Sequence, residues 1–206
     1  MNAGRLITFE GMDGCGKSTQ ARLLAESLDS KGLDVVLTRE PGGSPGAEEI
    51  RRLLVEGSPE RWSAETEILL FTAARRDHLE KTIRPALERG ATVISDRFAD
   101  STRVYQGAAR RELRALVDRF HDAVIGKDPD LTFIIDMDPS EALRRGLERN
   151  SGEHRFEEMG QGFQDRVREG FRALAGDNPD RCHLIDGNRG VNAIARDISR
   201  IAGRNP

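Results

Sequence analysis

Cysteine and large aromatic side chains are scarce in this chain: 206 residues include two cysteines, one tryptophan and one tyrosine. Cys15 and Cys182 stand far apart, without the close spacing of a zinc knuckle or a redox dithiol, which excludes a disulfide scaffold or a cysteine-held metal as the organising device. A reducing cytoplasm suits such a chain. No apolar run approaches the roughly 20 residues of a membrane-spanning helix, and the first residues lack the pattern of a secretory leader, so no membrane partner is expected. The net charge of −3 gives no general attraction to nucleic acid. Internal repeats, low-complexity tracts and long linkers are missing too. What is there is 37% hydrophobic residues over a length suited to a single core, and one domain over residues 1–206 is expected.

Short apolar runs rich in β-branched residues fall at 6–9, 35–38, 92–95, 131–136 and 182–185, and predict five strands. Helical patterns run over 17–28, 47–56, 64–88, part of 101–125, 140–149, 163–175 and 191–201. Strands alternating with helices of this length predict right-handed crossovers and a parallel sheet covered on both faces, an α/β fold. Ligands of such sheets bind beyond the carboxyl ends of the strands. Every motif described next sits just after a predicted strand or on the helix that follows it.

Residues 11–18 read GMDGCGKS and match G-x-x-x-x-G-K-[ST], directly after a strand and opening a helix, the context the motif requires. Gly11, Gly14 and Gly16 permit backbone angles that turn successive N–H groups inward, and the helix adds its positive end. Such a loop cradles a polyphosphate. Gly11, Met12, Asp13, Gly14, Cys15, Gly16, Lys17, Ser18 and Thr19 are therefore the candidate ATP-binding residues, with Lys17 directed at the β- and γ-phosphates and the Ser18 hydroxyl at Mg²⁺. The plainer alternative is a Gly-rich turn with a buried lysine stem, and the order strand, loop, helix weighs against it. A cradle alone does not separate kinases from GTPases or motor ATPases. No N-K-x-D segment occurs, nor an evident water-activating switch, which favours a small kinase.

Phe71 and Arg75 are four apart in a helical stretch and share a face, where a ring and a planar donor fork suit a pyrimidine. Taken alone, Phe71 reads first as a core aromatic, and Arg75 with Arg76 as a solvated face. Asp96 and Arg97 close the third predicted strand, putting a carboxylate and a guanidinium at the ligand edge. A structural ion pair at a strand end is the alternative there.

Over nearly its whole length the sequence resembles the thymidylate kinase family, through FEGMDGCGKSTQ at 9–20, TREPGG at 38–43, Leu70 and Phe71 with Arg75, DRF at 96–98 and YQG at 105–107. The resemblance implies a P-loop kinase fold and the phosphorylation of dTMP to dTDP by Mg-ATP. A kinase for another small acceptor, dUMP or a deoxynucleoside, is the alternative. It further implies that Phe71 stacks on thymine, that Arg75 bonds its O4, and that Arg97 and Arg51 clamp the acceptor phosphate. Asp96 then orients Arg97 or a magnesium-bound water. The Tyr105 ring falls where a ribose 2′-hydroxyl would sit, which favours deoxyribose; Gln106 faces the base, and Thr102 stands where relatives often have Ser. Asp13 matches an acid that contacts the acceptor 3′-hydroxyl, a solvent-facing loop carboxylate being the other reading. Glu40 accepts hydrogen bonds near the acceptor or the metal. A homodimer joined through helices flanking the sheet is also implied, with adenine near residues 187–189.

In some relatives an arginine inside the P-loop covers the phosphates, but here Cys15 occupies that place. The family's other arrangement supplies arginine from a short lid, and residues 144–157 are basic and broken by Asn150, Ser151 and Gly152. Arg149 and Arg155 thus join Lys17, Arg97 and Asp96 as candidate catalytic residues, with a charged helix end followed by a loop as the plainer reading. Where relatives often read Asp-Arg-Phe-Glu, this chain has His154, Arg155, Phe156 and Glu157, leaving Glu157 as the only motif acid. Cys15 is either a sensitised thiol at a helix N-terminus or a simple small residue. A nucleoside monophosphate has a second pKa near 6, so its oxygens are already nucleophilic at neutral pH. Positioning and cations, not a general base, are what the chemistry needs.

Overall fold

The computed structural model describes residues 4–57, 61–110, 112–148 and 160–203. Its strands are β1 (Arg5–Glu10), β2 (Val35–Arg39), β3 (Thr92–Asp96), β4 (Leu131–Asp136) and β5 (Cys182–Asp186), in the order β2-β3-β1-β4-β5. All neighbouring pairs are parallel. Each begins and ends within one residue of the corresponding apolar run; the central strands β1, β3 and β4 are buried on both faces and read as continuous hydrophobic stretches, while the edge strands β2 and β5 are more exposed. The helices are α1 (Lys17–Asp29), α2 (Pro45–Val55), α3 (Ala64–His78), α4 (Arg84–Glu88), α5 (Ala99–Ala109), α6 (Leu113–Phe120), α7 (Pro139–Glu148), α8 (Gln161–Asp177) and α9 (Val191–Ala202).

From β1 the chain passes over to β2, returns to fill the place between them with β3, and then adds β4 on the other side of β1. The direction of winding reverses beside β1, and a crevice opens there at the carboxyl ends. Register decides what reaches it. Asp96 lies opposite Phe9 on one side and Arg39 on the other, so the ends of β1, β2 and β3 emerge at one level.

Alternation along the strands divides the core. Ile7, Phe9, Ile94 and Phe133 pack with Leu24, Phe171 and Ile198 from α1, α8 and α9, whereas Leu6 and Val93 pack with Leu79, Ile83 and Ala86. The sheet is therefore covered on both faces. Thr8 and Thr132 are fully buried at its centre and share a hydroxyl hydrogen bond of 2.9 Å, which offsets the cost of burying them.

The helical pattern over 64–88 is continuous but not uniform. Ser63 caps α3 by accepting from the Thr66 N–H at 3.2 Å. A π-helical turn, Leu79–Ile83, then joins α3 to α4, with the Arg84 N–H bonded to the Leu79 carbonyl. Pro85 lacks an N–H and its ring crowds the carbonyl four residues back; the widened turn just before it makes room. The expected stretch in 101–125 resolves into α5, α6 and a second π-helical turn, His121–Ile125, with α5 and α6 separated where Arg110 adopts extended angles (φ −148°, ψ 125°). Helix α2 begins two residues earlier than its apolar pattern, because Pro45 is tolerated in the first turn. Asp100 on α5 is fully buried and bonded by Arg181 at 2.6 and 3.1 Å and by Arg103 at 2.9 Å, which anchors α5 to the start of β5.

The Phe133 ring is fully buried at a centroid distance of 5.3 Å from Phe9. Phe133→Ala is expected to lower stability by about 3 to 5 kcal/mol, checked by chemical denaturation; a loss below 1 kcal/mol would contradict this account of the core.

Candidate functional site

Beyond the ends of β1, β2 and β3 lies a cleft of about 750 Å³, lined among others by Lys17, Ser18, Glu40, Arg51, Phe71, Asp96, Arg97, Thr102, Tyr105 and Gln106. A second recess of about 310 Å³ is lined by Cys15, Thr19, Arg145, Gly187, Arg189 and Val191. Gly14 and Gly16 line both. The glycine-rich loop is thus the ridge on which the two meet.

Gly11, Gly14 and Gly16 all have positive φ, the left-handed side of backbone space that glycine enters freely. Gly14 has a second reason: a Cβ there would stand 1.8 Å from the Ala142 carbonyl oxygen, so α7 closes directly onto the loop. Lys17 is only 6% exposed and its Nζ donates to the Met12 carbonyl at 2.7 Å. Met12 contributes backbone to the loop and its side chain to the core. Cys15 is buried, and loss of water pushes its thiol up rather than down, which favours the plain reading over the sensitised one.

Ser18 Oγ donates to Asp96 Oδ2, while Asp96 Oδ1 is buried and has no hydrogen-bond partner among the described residues. An orphaned carboxylate oxygen costs roughly 1 to 3 kcal/mol, and a hydroxyl beside a carboxylate is the oxygen donor set that a hard cation prefers. Among the described residues there is no group of three or more His, Cys, Asp or Glu placed to hold a metal. A hydroxyl and a single carboxylate match what Mg²⁺ takes from a protein, the rest of its shell being phosphate and water.

Arg97 has φ +73°, a left-handed angle that a residue with a Cβ adopts at a cost of about 1 to 3 kcal/mol. The bend brings its guanidinium back over the loop. Its Nη2 donates to Asp13 Oδ1 at 2.5 Å, and its Nη1 to Ser101 Oγ at 2.8 Å and the Gly11 carbonyl at 3.3 Å. The group also lies 5.2 Å from the centre of the Tyr105 ring. Loss of water works to raise the Asp13 pKa, but the charges of Arg97 and Lys17 and the bonds from Arg97 and Tyr105 bring it down to about 2. Asp13 is therefore an anchored carboxylate and not a free loop acid.

On the other wall, Phe71 faces the cleft while Arg75, 4% exposed, lies behind it. Arg75 Nε donates to Glu40 Oε2 at 2.7 Å and Nη2 to Thr102 Oγ1 at 3.0 Å, and its plane covers Phe98 at 5.3 Å. Arg51 Nη1 donates to the Pro41 carbonyl at 2.6 Å, and Gln106 Nε2 to Glu67 Oε2 at 3.2 Å. Arg149, His154, Arg155 and Glu157 lie outside the described residues. All the other predicted site residues converge on this edge.

A family model for thymidylate kinase matches residues 9–198. The chain is 68% identical over 195 residues to a thymidylate kinase of Dinoroseobacter shibae, covering 95% of this chain and 94% of that one, and 50% identical over 202 residues to one from Caulobacter vibrioides, covering 98% and 97%. The chain belongs to the thymidylate kinase family. Its fold agrees with the crystal structure of thymidylate kinase from Ehrlichia chaffeensis, with a TM-score of 0.77 at 38% identity over 97% of this chain and 99% of that one.

Two buried residues of this thymidylate kinase site escaped the motif reading. Glu10, fully buried, accepts the Phe98 N–H at 2.8 Å and the Ser101 hydroxyl. It stood in the family motif, but only a three-dimensional contact reveals that it braces the turn carrying Arg97. His78, also fully buried, bonds Glu40. Its spacing from Arg75 on the helix was the one available signal.

Burial first, then the nearby charge of Asp100, pushes the Glu10 carboxyl up to about 8, with the bonds from Ser101 and Phe98 and the charge of Arg97 acting in the opposite direction. The unfolded carboxyl titrates near 4.5, so the folded state holds the proton more tightly. The stabilisation is complete below that value and is lost as pH rises through about 8. Glu10→Gln, which mimics the protonated acid, is expected to flatten the fall in melting temperature between pH 5 and pH 8; an unchanged slope would remove this source of pH dependence.

Proposed function

We propose that this chain transfers the γ-phosphoryl group of ATP to dTMP, giving dTDP and ADP, within a single domain over residues 1–206. The observation that carries the reading is the pair of recesses meeting at the glycine-rich loop, one suited to a donor and the other to an acceptor. In this reading Gly11 to Thr19 hold the donor phosphates with their amides. Adenine occupies the smaller recess beside Gly187 and Arg189, where Gln20 steadies the wall by donating to the Val191 carbonyl at 3.1 Å.

The acceptor enters the larger cleft. Phe71 takes the base by stacking, and Arg75, with Thr102 and Gln106, supplies the polar edge. Tyr105 closes the space beside C2′, favouring deoxyribose, and Asp13 accepts from the 3′-hydroxyl. Arg51 and Arg97 hold the acceptor phosphate, and Glu40 keeps Arg75 turned toward the base. Such assignments extend the family's pattern onto side chains that already line or back one cavity.

A phosphate oxygen of dTMP forms the new bond to the γ-phosphorus while the bond to the β,γ-bridging oxygen breaks and ADP departs. No proton need be removed, since the attacking oxygen is largely ionised at neutral pH. Repulsion between two anionic substrates is the obstacle, and Lys17 and Arg97 bring fixed positive charge to it. Ser18 and Asp96 would hold Mg²⁺, which would supply positive charge against the donor phosphates. The resemblance to the family implies a lid over 144–157 that adds an arginine, Arg149 or Arg155, at those phosphates; both arginines lie outside the described residues.

In this reading the protein acts in the cytoplasm as a homodimer, as the resemblance to the family implies. Among the described residues no helix is long and apolar enough to cross a membrane. Exposed Leu53 on α2 and Leu69 on α3 supply apolar surface on helices flanking the sheet.

Phosphoryl transfer from Mg-ATP to a panel of monophosphates tests the reading. kcat/KM for dTMP is expected to exceed that for dUMP by about 10- to 200-fold, the worth of one pocket methyl. Arg97→Ala is expected to lower kcat by about 100- to 1,000-fold, as loss of an electrostatic stabiliser does elsewhere. ATP binding with no transfer to any of the panel would overturn the assignment, and faster turnover of dUMP would move it to another acceptor.

A further inference from the structure

Helix α3 places Phe71, Arg75 and His78 at positions i, i+4 and i+7, one helical face. The first lines the cleft, the second stands behind its wall, and the third is fully buried. His78 is not packed there as a bland ring. Its Nδ1 is 3.0 Å from Glu40 Oε1, and a carboxylate only accepts, so Nδ1 carries a proton directed at it. Its Nε2 is 2.8 Å from Thr38 Oγ1. The ring also seats against the backbone of the loop after β2: a Cβ on Gly43 would come within 2.4 Å of Nε2 and 2.6 Å of Cδ2.

Glu40 therefore divides its two oxygens, one to His78 and the other to Arg75 Nε at 2.7 Å. Arg75 continues the chain to Thr102 Oγ1 at 3.0 Å. Thr38, Glu40 and Thr102 line the cleft, whereas His78 does not. The relay thus starts and ends at the cleft wall and runs through a buried ring in between. A carboxylate rotates about its terminal bond with little resistance. Arg75 Nε fixes one oxygen; among the described residues only the bond from His78 fixes the other, and with it the plane of the group. The plane of Glu40 in turn sets the tilt of the Arg75 fork.

We propose that His78 is a positioning residue of the acceptor pocket, holding Glu40 so that the Arg75 fork is presented to the pyrimidine. It never touches substrate. This inference rests on the reading of Arg75 as a base contact, and the experiment separates the two. Asparagine places its amide nitrogen near the position of Nδ1, whereas glutamine reaches toward that of Nε2. His78→Gln is expected to raise the KM for dTMP by about tenfold, the worth of a hydrogen bond to a charged group, while His78→Asn stays within a few-fold of the parent. The KM for ATP should remain unchanged in both.

A role in packing alone would not rank the two amides in this order or spare ATP. Equal effects of the two variants, parallel changes in both KM values, or an unchanged dTMP KM in His78→Gln would each overturn the proposal. Arg75→Ala is measured alongside. If its dTMP KM is unchanged, the pocket reading falls and the inference with it; if it rises while His78→Gln does not, the inference alone falls. Should His78→Gln not fold, Glu40→Gln tests the same link, with the same expected rise and with an unchanged dTMP KM overturning the proposal.

Discussion

The guanidinium of Arg97 joins segments that are otherwise separate in the chain. It bonds Asp13 and the Gly11 carbonyl in the loop after β1, and Ser101 on α5, and it covers the ring of Tyr105. These contacts are possible only because the backbone at Arg97 turns into the left-handed region, and that turn is held from both sides by one strand end. The Arg97 N–H donates to the Phe9 carbonyl at 2.9 Å, and the following N–H donates to the Glu10 carboxyl. Strain at a single residue is thus maintained by neighbouring bonds, a pattern common where a side chain must point into a site. Remove the brace and the loop, the sheet edge and α5 lose their shared contact.

The same arrangement explains how acids accumulate at this edge. Glu10, Asp13 and Asp96 lie close together where β1 and β3 end, and solvent does not fully screen them. Each is handled differently. Asp13 is paired with a cation and stays ionised; Glu10 is buried and holds its proton more tightly; Asp96 keeps one oxygen on Ser18 and one without a partner among the described residues. Glu10 and Asp13 thereby shift in opposite directions, the one through burial and the other through its neighbouring cations.

Much of this was legible in the sequence. Central parallel strands covered on both faces leave uninterrupted apolar runs, and β-branched residues mark the edge strands as well; residues 131–136 agree end for end with β4. The glycine-rich loop was legible because its spacing is itself the mechanism: each glycine answers a backbone angle, and Gly14 answers the approach of α7 as well. Local patterns failed where the cause was distant. Nothing near Leu79 in sequence announces a π-helical turn except Pro85 six residues on, and the break at Arg110 carries no glycine or proline. Glu10 and His78 were passed over for a related reason. Each reads as an ordinary residue within a strand or helix, and its importance comes from partners 88 and 38 positions away. The lid arginines fall among residues the structure does not describe, so the alternatives for 149–157 stand as the sequence left them.

Two cations central to the proposed chemistry are already engaged within the protein: Lys17 with the Met12 carbonyl and Arg97 with Asp13. Such partners have opposite consequences for catalysis. A carbonyl is neutral, so turning Lys17 toward a phosphate exchanges a dipole for an anion, and the exchange is favourable. Asp13 is itself an anion, and an arginine that gave it up would leave a carboxylate stranded beside two phosphates. Arg97 has more than one donor edge, however, and among the described residues its Nη1 is held only by a hydroxyl and a carbonyl. The economical arrangement keeps Asp13 on Nη2 and releases Nη1 to the incoming phosphate, so that the fork is aimed before the substrate arrives. Preorganisation of this kind is where electrostatic catalysis gains over water, whose dipoles must reorient as charge moves. The left-handed turn at Arg97, costly for folding, is then the local strain that sets the direction of the charge.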